Sequence, residues 1–122
     1  MLVAAAQVRQ FAPSTRLHDR ALYELSQLAD RGQLTLDTAT WRFVPSPNGG
    51  FALVGLTDVL LILSEEGWLQ RNPVESTYLV SPEFQEWGSR ELAALSAEER
   101  RRVVQVARRW KARASVSSKK AA

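Results

Sequence analysis

The sequence predicts a small α+β domain with about four helices, two β-hairpins and a basic C-terminal helix, because three patterns recur in it. Apolar residues return at helical spacing over Leu17–Ala29 and again from Val103 to Ala114. β-rich runs come in pairs about turn-forming residues: Thr38–Val44 with Phe51–Leu56, then Trp68–Arg71 with Ser76–Val80. Nine of the 16 Lys and Arg fall within residues 96–122.

Each element has its own signals. Met1–Ala12 reads as a short strand or an ordered arm. Ser14 or Thr15 can cap a first helix that Gly32 ends, and Leu17, Ala21, Leu22, Leu25, Leu28 and Ala29 form its apolar stripe. The first hairpin turns through PSPNGG (Pro45 to Gly50), where the Asn48-Gly49 pair tolerates positive φ and the loop length leaves the register open. Thr57 can cap a helix over Asp58–Glu66, with Asp58 against the positive end of its dipole. The inner run of that helix, Val59 to Leu63, is apolar nearly all round and predicts burial on more than one side. A second hairpin turns at Asn72-Pro73-Val74-Glu75. Ser81-Pro82 starts the next helix, which Gly88 should interrupt or bend. Ser96 and Glu99 form a capping box that opens the last helix, read as 97–113. Residues 1–114 then make one domain, and 115–122, polar and poor in apolar residues, a flexible basic tail.

Composition bounds the function. The 122 residues suffice for one core, and 45% apolar with 24% charged residues is ordinary for a globular chain. Absence of cysteine excludes disulfides, thiol nucleophiles and thiolate metal sites. The N-terminus lacks the basic region of a signal sequence, and no window nears the roughly 18 apolar residues of a spanning helix, so a soluble cytoplasmic protein is expected. The net charge of +3 is uneven: residues 96–122 carry nine cations against Glu98 and Glu99, a net +7, leaving −4 for the rest. Such asymmetry points to a polyanionic partner.

The pattern Leu60, Leu63, Gly67-Trp68-Leu69, then Tyr78-Leu79-Val80-Ser81-Pro82 resembles the last helix, the wing and the following helix start of winged helix-turn-helix proteins. The resemblance covers about a quarter of the chain and implies a winged-helix-like domain acting in DNA binding or transcription regulation, or as a protein-interaction module. It departs from the family in two ways. A hairpin stands where a helix-turn-helix is usual, and the helix that would enter a DNA groove holds Asp58, Glu65 and Glu66 but no Lys or Arg. Docking such a helix on DNA would forgo counterion release, a main source of affinity.

The reading surface is therefore expected at the C-terminus. With about 100° between residues, Val103, Val106, Ala107, Trp110 and Ala114 share one face, and Arg100, Arg101, Arg102, Arg108, Arg109, Lys111 and Arg113 take the remaining arc. These cations, with Arg71 near the second hairpin and Lys119 and Lys120 in the tail, are the expected phosphate contacts, giving little base readout. DNA is favoured over RNA, and an anionic membrane surface is disfavoured. The alternative is a protein-interaction module, a homodimer being one form of it, that docks the face of Val103, Val106 and Trp110 on a partner. The four tryptophans, Trp41, Trp68, Trp87 and Trp110, are each expected in the core, and Trp110, flanked by Arg109 and Lys111, has the better claim among them to exposure at an interface. Arg42 between Trp41 and Phe43 offers a short cationic-aromatic strand for single strands.

Nothing in the sequence assembles a catalytic site, and no enzyme, metal or cofactor is expected. His18, the one histidine, is read as a surface helix residue beside Asp19 and Arg20. The pairs Glu65-Glu66 and Glu98-Glu99 fit helix ends or solvated faces, Gly49-Gly50 lacks a following GK[ST], and Ser14, Ser26 and Ser81 have no nucleophile-elbow setting.

Overall fold

A computed structural model of the protein describes residues 2–12, 15–47 and 49–121, the side chains of Thr15 and of residues 113–121 excepted. The order is α1 (Leu2–Ala6), β1 (Gln10–Phe11), α2 (Thr15–Asp30), β2 (Phe43–Pro45), β3 (Phe51–Leu53), α3 (Leu56–Glu65), β4 (Leu69–Asn72), β5 (Thr77–Val80), α4 (Pro82–Ala93) and α5 (Ala97–Ala121). This is an α+β domain whose described residues hold five helices and two small antiparallel sheets, one of order β1-β5-β4 and one a hairpin, β2-β3.

The helix beyond the expected count lies in the N-terminal segment, which is both helix and strand. Val3 and Ala6 of α1 are buried, and the helix packs on α4 and α5. The chain turns at Gln7, φ 54°, and β1 then lies beside β5, Gln10 opposite Leu79 and Phe11 opposite Tyr78. Five residues cannot hold a helix alone, so this element depends on its tertiary contacts.

Local signals placed several boundaries well. Gly32 leaves α2 at φ 70°, and Gln33 N–H donates to the Leu28 carbonyl across the turn. The Asn72 carboxamide oxygen accepts from the N–H groups of Val74 and Glu75, which closes the second hairpin. Ser81 Oγ accepts from Phe84 N–H at 3.1 Å, with Pro82 at the first helical position. Ser96 Oγ accepts from Glu99 N–H, although the Glu99 carboxylate accepts from the Thr35 hydroxyl instead of closing the box. The cap at Ser14 and the turn residue Asn48 lie outside the described residues.

Elsewhere the expectations need correction. Most of Thr38–Val44 is irregular, and only Phe43–Pro45 pairs, in the register Phe43 to Leu53 and Pro45 to Phe51. Helix α3 begins at Leu56, not after a Thr57 cap. Gly55 precedes it at φ 85° with no side-chain cap, and the buried Leu56 serves as its first anchor. Helix α4 passes through the buried Gly88 without interruption. Helix α5 continues past Arg113 to Ala121, through the segment read as a tail.

The core forms where α5 meets α1 and α2. Val103 and Ala107 are fully buried, Val106 and Trp110 nearly so, among Val3, Phe11, Ala21, Leu25, Leu34 and Leu69. Hairpin β2-β3 rides on α2, held by the buried Asp19, whose carboxylate accepts from Leu53 N–H at 2.9 Å.

Candidate nucleic-acid interface

The apolar face of α5 is spent on the protein's own core. Val103 is 0% exposed and Trp110 4%, so the alternative in which Val103, Val106 and Trp110 dock on a partner has no free face to use. Trp110 lies in the core, as expected of the tryptophans, without the interface exposure that its charged neighbours could have given it. Arg109 and Lys111 adjoin it in sequence but lie about 100° to either side on the helix, over solvent. The indole packs at 5.7 Å from the Phe11 ring and donates its N–H to His18 Nδ1 at 3.0 Å.

His18 is likewise an interior residue, 6% exposed, and not a surface histidine. Its Nε2–H donates to the Ala12 carbonyl at 2.9 Å while Nδ1 accepts from Trp110, so the neutral ring is satisfied at both nitrogens. Burial pushes its pKa below 6.5, against smaller opposing effects of the Ala12 carbonyl and the Asp19 carboxylate. The signal was present in the sequence: His18 precedes Ala21, Leu22 and Leu25 by three, four and seven positions, on the apolar stripe.

The cations of α5 divide into two groups. Arg101, Arg108 and Lys111 are exposed on its outer side, and Arg100 reaches back to the Leu95 carbonyl. Arg101 makes only a loose 3.8 Å pair with Glu98, and no ion pair of Arg108 or Lys111 occurs among the described residues. Arg102 and Arg109 are tied inward. Arg102 donates to the Gln33 carbonyl at 2.8 Å and lies 3.6 Å from Glu98, and Arg109 meets Glu24 of α2 at 2.6 Å. The side chains of Arg113, Lys119 and Lys120 lie outside the described residues. Arg71 stands apart from this group, exposed on β4, with its guanidinium 5.3 Å over the Tyr78 ring.

Helix α2 adds cations that the C-terminal charge count passed over. Arg16, Arg20, Tyr23 and Gln27 follow one another at three- and four-residue steps along one side of that helix, and Arg31, just past its end, continues the spacing. Arg16 and Arg20 line a cleft of about 750 Å³ between α2 and the β2-β3 hairpin. Arg31, with Arg102 and Arg109, lines a second cleft of about 300 Å³ between α2 and α5, and Tyr23 and Glu24 belong to both.

Helix α3 is not the enclosed element its composition predicted. Leu56 and Leu60 are buried, but Val59, Leu61 and Ile62 are 48%, 56% and 50% exposed. Only one side of α3 meets the core, leaving these residues outward among Asp58, Glu65 and Glu66, all exposed. Among the described residues no cluster of three His, Asp or Glu could hold a metal ion, and no helix is long and apolar enough to cross a membrane. Comparison with protein-family models, with curated proteins and with solved structures gives no match.

Proposed function

We propose that the chain is a non-enzymatic nucleic-acid-binding accessory or regulatory protein that contacts phosphates through the basic exterior of α5. One observation carries the reading. Because the apolar face of α5 is buried, Arg101, Arg108 and Lys111 are held outward on a rigid element, with no strong carboxylate partner among the described residues. Cations so placed release counterions from a polyanion without first breaking an internal ion pair. Contacts of this kind position a protein on a nucleic-acid backbone and carry little sequence information.

The order α3, hairpin β4-β5, start of α4 supports a winged-helix-like reading of the fold, and β1 lies beside the outgoing wing strand. Hairpin β2-β3 stands between α2 and α3, where the family would have a tight helix-turn-helix. Helix α3, with acids on its exposed side, is then no groove reader.

The test is fluorescence anisotropy with labelled DNA across about 50 to 200 mM salt, wild type beside a triple Arg101→Gln, Arg108→Gln, Lys111→Gln variant. Arg102 and Arg109 are left intact because they also brace the fold. The expected log–log salt slope is about −0.9 per phosphate neutralised on duplex, shallower in the variant. Absence of binding by folded wild type at low salt refutes the proposal.

A second reading is favoured by the exposed Val59, Leu61 and Ile62: a protein-interaction module that uses α3 in place of α5. It predicts a complex whose affinity changes little with salt and is abolished by Leu61→Asp.

A further inference from the structure

The groove that α2 shares with the β2-β3 hairpin and α5 has the composition of a single-strand site, not of a duplex-backbone site. We infer that it binds single-stranded nucleic acid, one base resting on the Tyr23–Phe51 pair and the phosphates following the arginines of α2. The inference rests on the phosphate-binding reading above and adds to it a second surface and a strandedness.

The aromatic element is built by the fold. Tyr23 and Phe51 are stacked, ring centroids 4.7 Å apart and 16° from parallel, with Phe43 edge-on to Tyr23 at 5.1 Å. Asp19 holds the hairpin to α2 through Leu53 N–H, and so fixes Phe51 over Tyr23. Phe51 is nevertheless 42% exposed, an apolar ring presented to solvent within the larger cleft. Its volume of about 750 Å³ falls in the roughly 300–1,000 Å³ range of small-molecule and cofactor sites. The cleft wall opposite α2 includes Gly49 and Gly50, which leave the backbone open there, both at positive φ as this turn requires.

Electrostatics select the ligand. The two adjoining clefts hold Arg16, Arg20, Arg31, Arg102 and Arg109 against two carboxylates. Of these, Asp19 is buried and bonded to backbone, and Glu24 is paired with Arg109. Arg16, Arg20 and Arg31 follow one another along this side for about 22 Å at 1.5 Å per residue, enough for roughly four nucleotides of strand. A duplex hides the faces of its bases in its own stack, whereas an unpaired base can lie on an aromatic ring. An exposed ring between arginines therefore gains only from a single strand. The short run Trp41-Arg42-Phe43 contributes Phe43 to this cluster, with Trp41 edge-on to Phe43 at 6.5 Å.

The experiment compares labelled oligothymidine with a duplex of equal length, for wild type, Phe51→Leu, an Arg16→Gln/Arg20→Gln double variant and the α5 exterior triple variant. Phe51→Leu keeps an apolar side chain against Tyr23 but removes the π-face. It should weaken single-strand binding about tenfold or more and leave duplex binding within about twofold. The Arg16/Arg20 variant should make the single-strand salt slope shallower by about 0.7 for each phosphate that it no longer neutralises. Circular dichroism checks that both variants remain folded. Single-strand binding equal in wild type and Phe51→Leu overturns the inference. If binding then falls only in the α5 variant, the phosphate reading survives without it. Absence of binding to either oligonucleotide by wild type overturns both.

Discussion

Replacing Trp110 by Phe tests the interior assignment of both Trp110 and His18. The substitution removes the indole N–H that reaches His18 Nδ1 at 3.0 Å, leaving a buried acceptor unsatisfied at a cost of about 1–3 kcal/mol. The smaller ring also leaves part of a site that is 4% exposed unfilled, adding roughly 1–2 kcal/mol. The sum of about 2–5 kcal/mol corresponds to a fall in Tm of roughly 8–20 °C for a domain of this size. A pH dependence accompanies it. The folded pKa of His18 lies below its ordinary 6.5, so the stability contributed by the neutral ring is whole above 6.5 and is lost as pH falls through the folded value. Protonation puts a hydrogen on Nδ1 and turns the Trp110 contact into two opposed donors. The variant lacks that conflict, so its stability should fall less between about pH 7 and pH 5 than that of wild type. Urea titration at both pH values measures both effects. A variant costing under about 0.5 kcal/mol near pH 8, with an unchanged acid dependence, would refute the hydrogen bond between Trp110 and His18.

Other perturbations follow from the same geometry. Leu69→Ala opens a cavity at a position 1% exposed and should cost about 2–5 kcal/mol in chemical denaturation, whereas a value under about 1 kcal/mol would mean that β4 does not seal the core. Ser81→Ala removes the acceptor of Phe84 N–H and should cost about 1 kcal/mol, read by the same assay. Gly67→Ala places a Cβ at φ 82° and should cost about 1–2 kcal/mol, although no atom stands near enough to clash; a neutral result would show that α3 leaves by a different turn. Leu61→Asp lies at an exposed position, and its thermal stability should stay within about 0.5 kcal/mol of wild type.

What could be read in the sequence was decided within a few residues of itself. Ser81-Pro82, Gly32, Asn72 and Ser96 fix turns and helix ends through their own φ preferences or side-chain oxygens, and the structure has them where they were expected. The 3.6-residue period of α5 likewise separated its buried face from its charged exterior. Burial that depends on what another element covers was not legible. The apolar run of α3 predicted an enclosed helix, yet only Leu56, Leu60 and part of Leu63 meet the core, because a helix can be covered only on the sides where neighbours exist. His18 and Trp110, polar or flanked by charge in sequence, are joined across 92 residues by one hydrogen bond. The arginines of α2 carry no local signal of a site; the fold lays hairpin β2-β3 and helix α5 beside them. Composition and local conformational preference determined the class of fold, the ends of its elements and the basic exterior; only tertiary packing decided which faces meet, since burial is a property of pairs of elements and not of either alone.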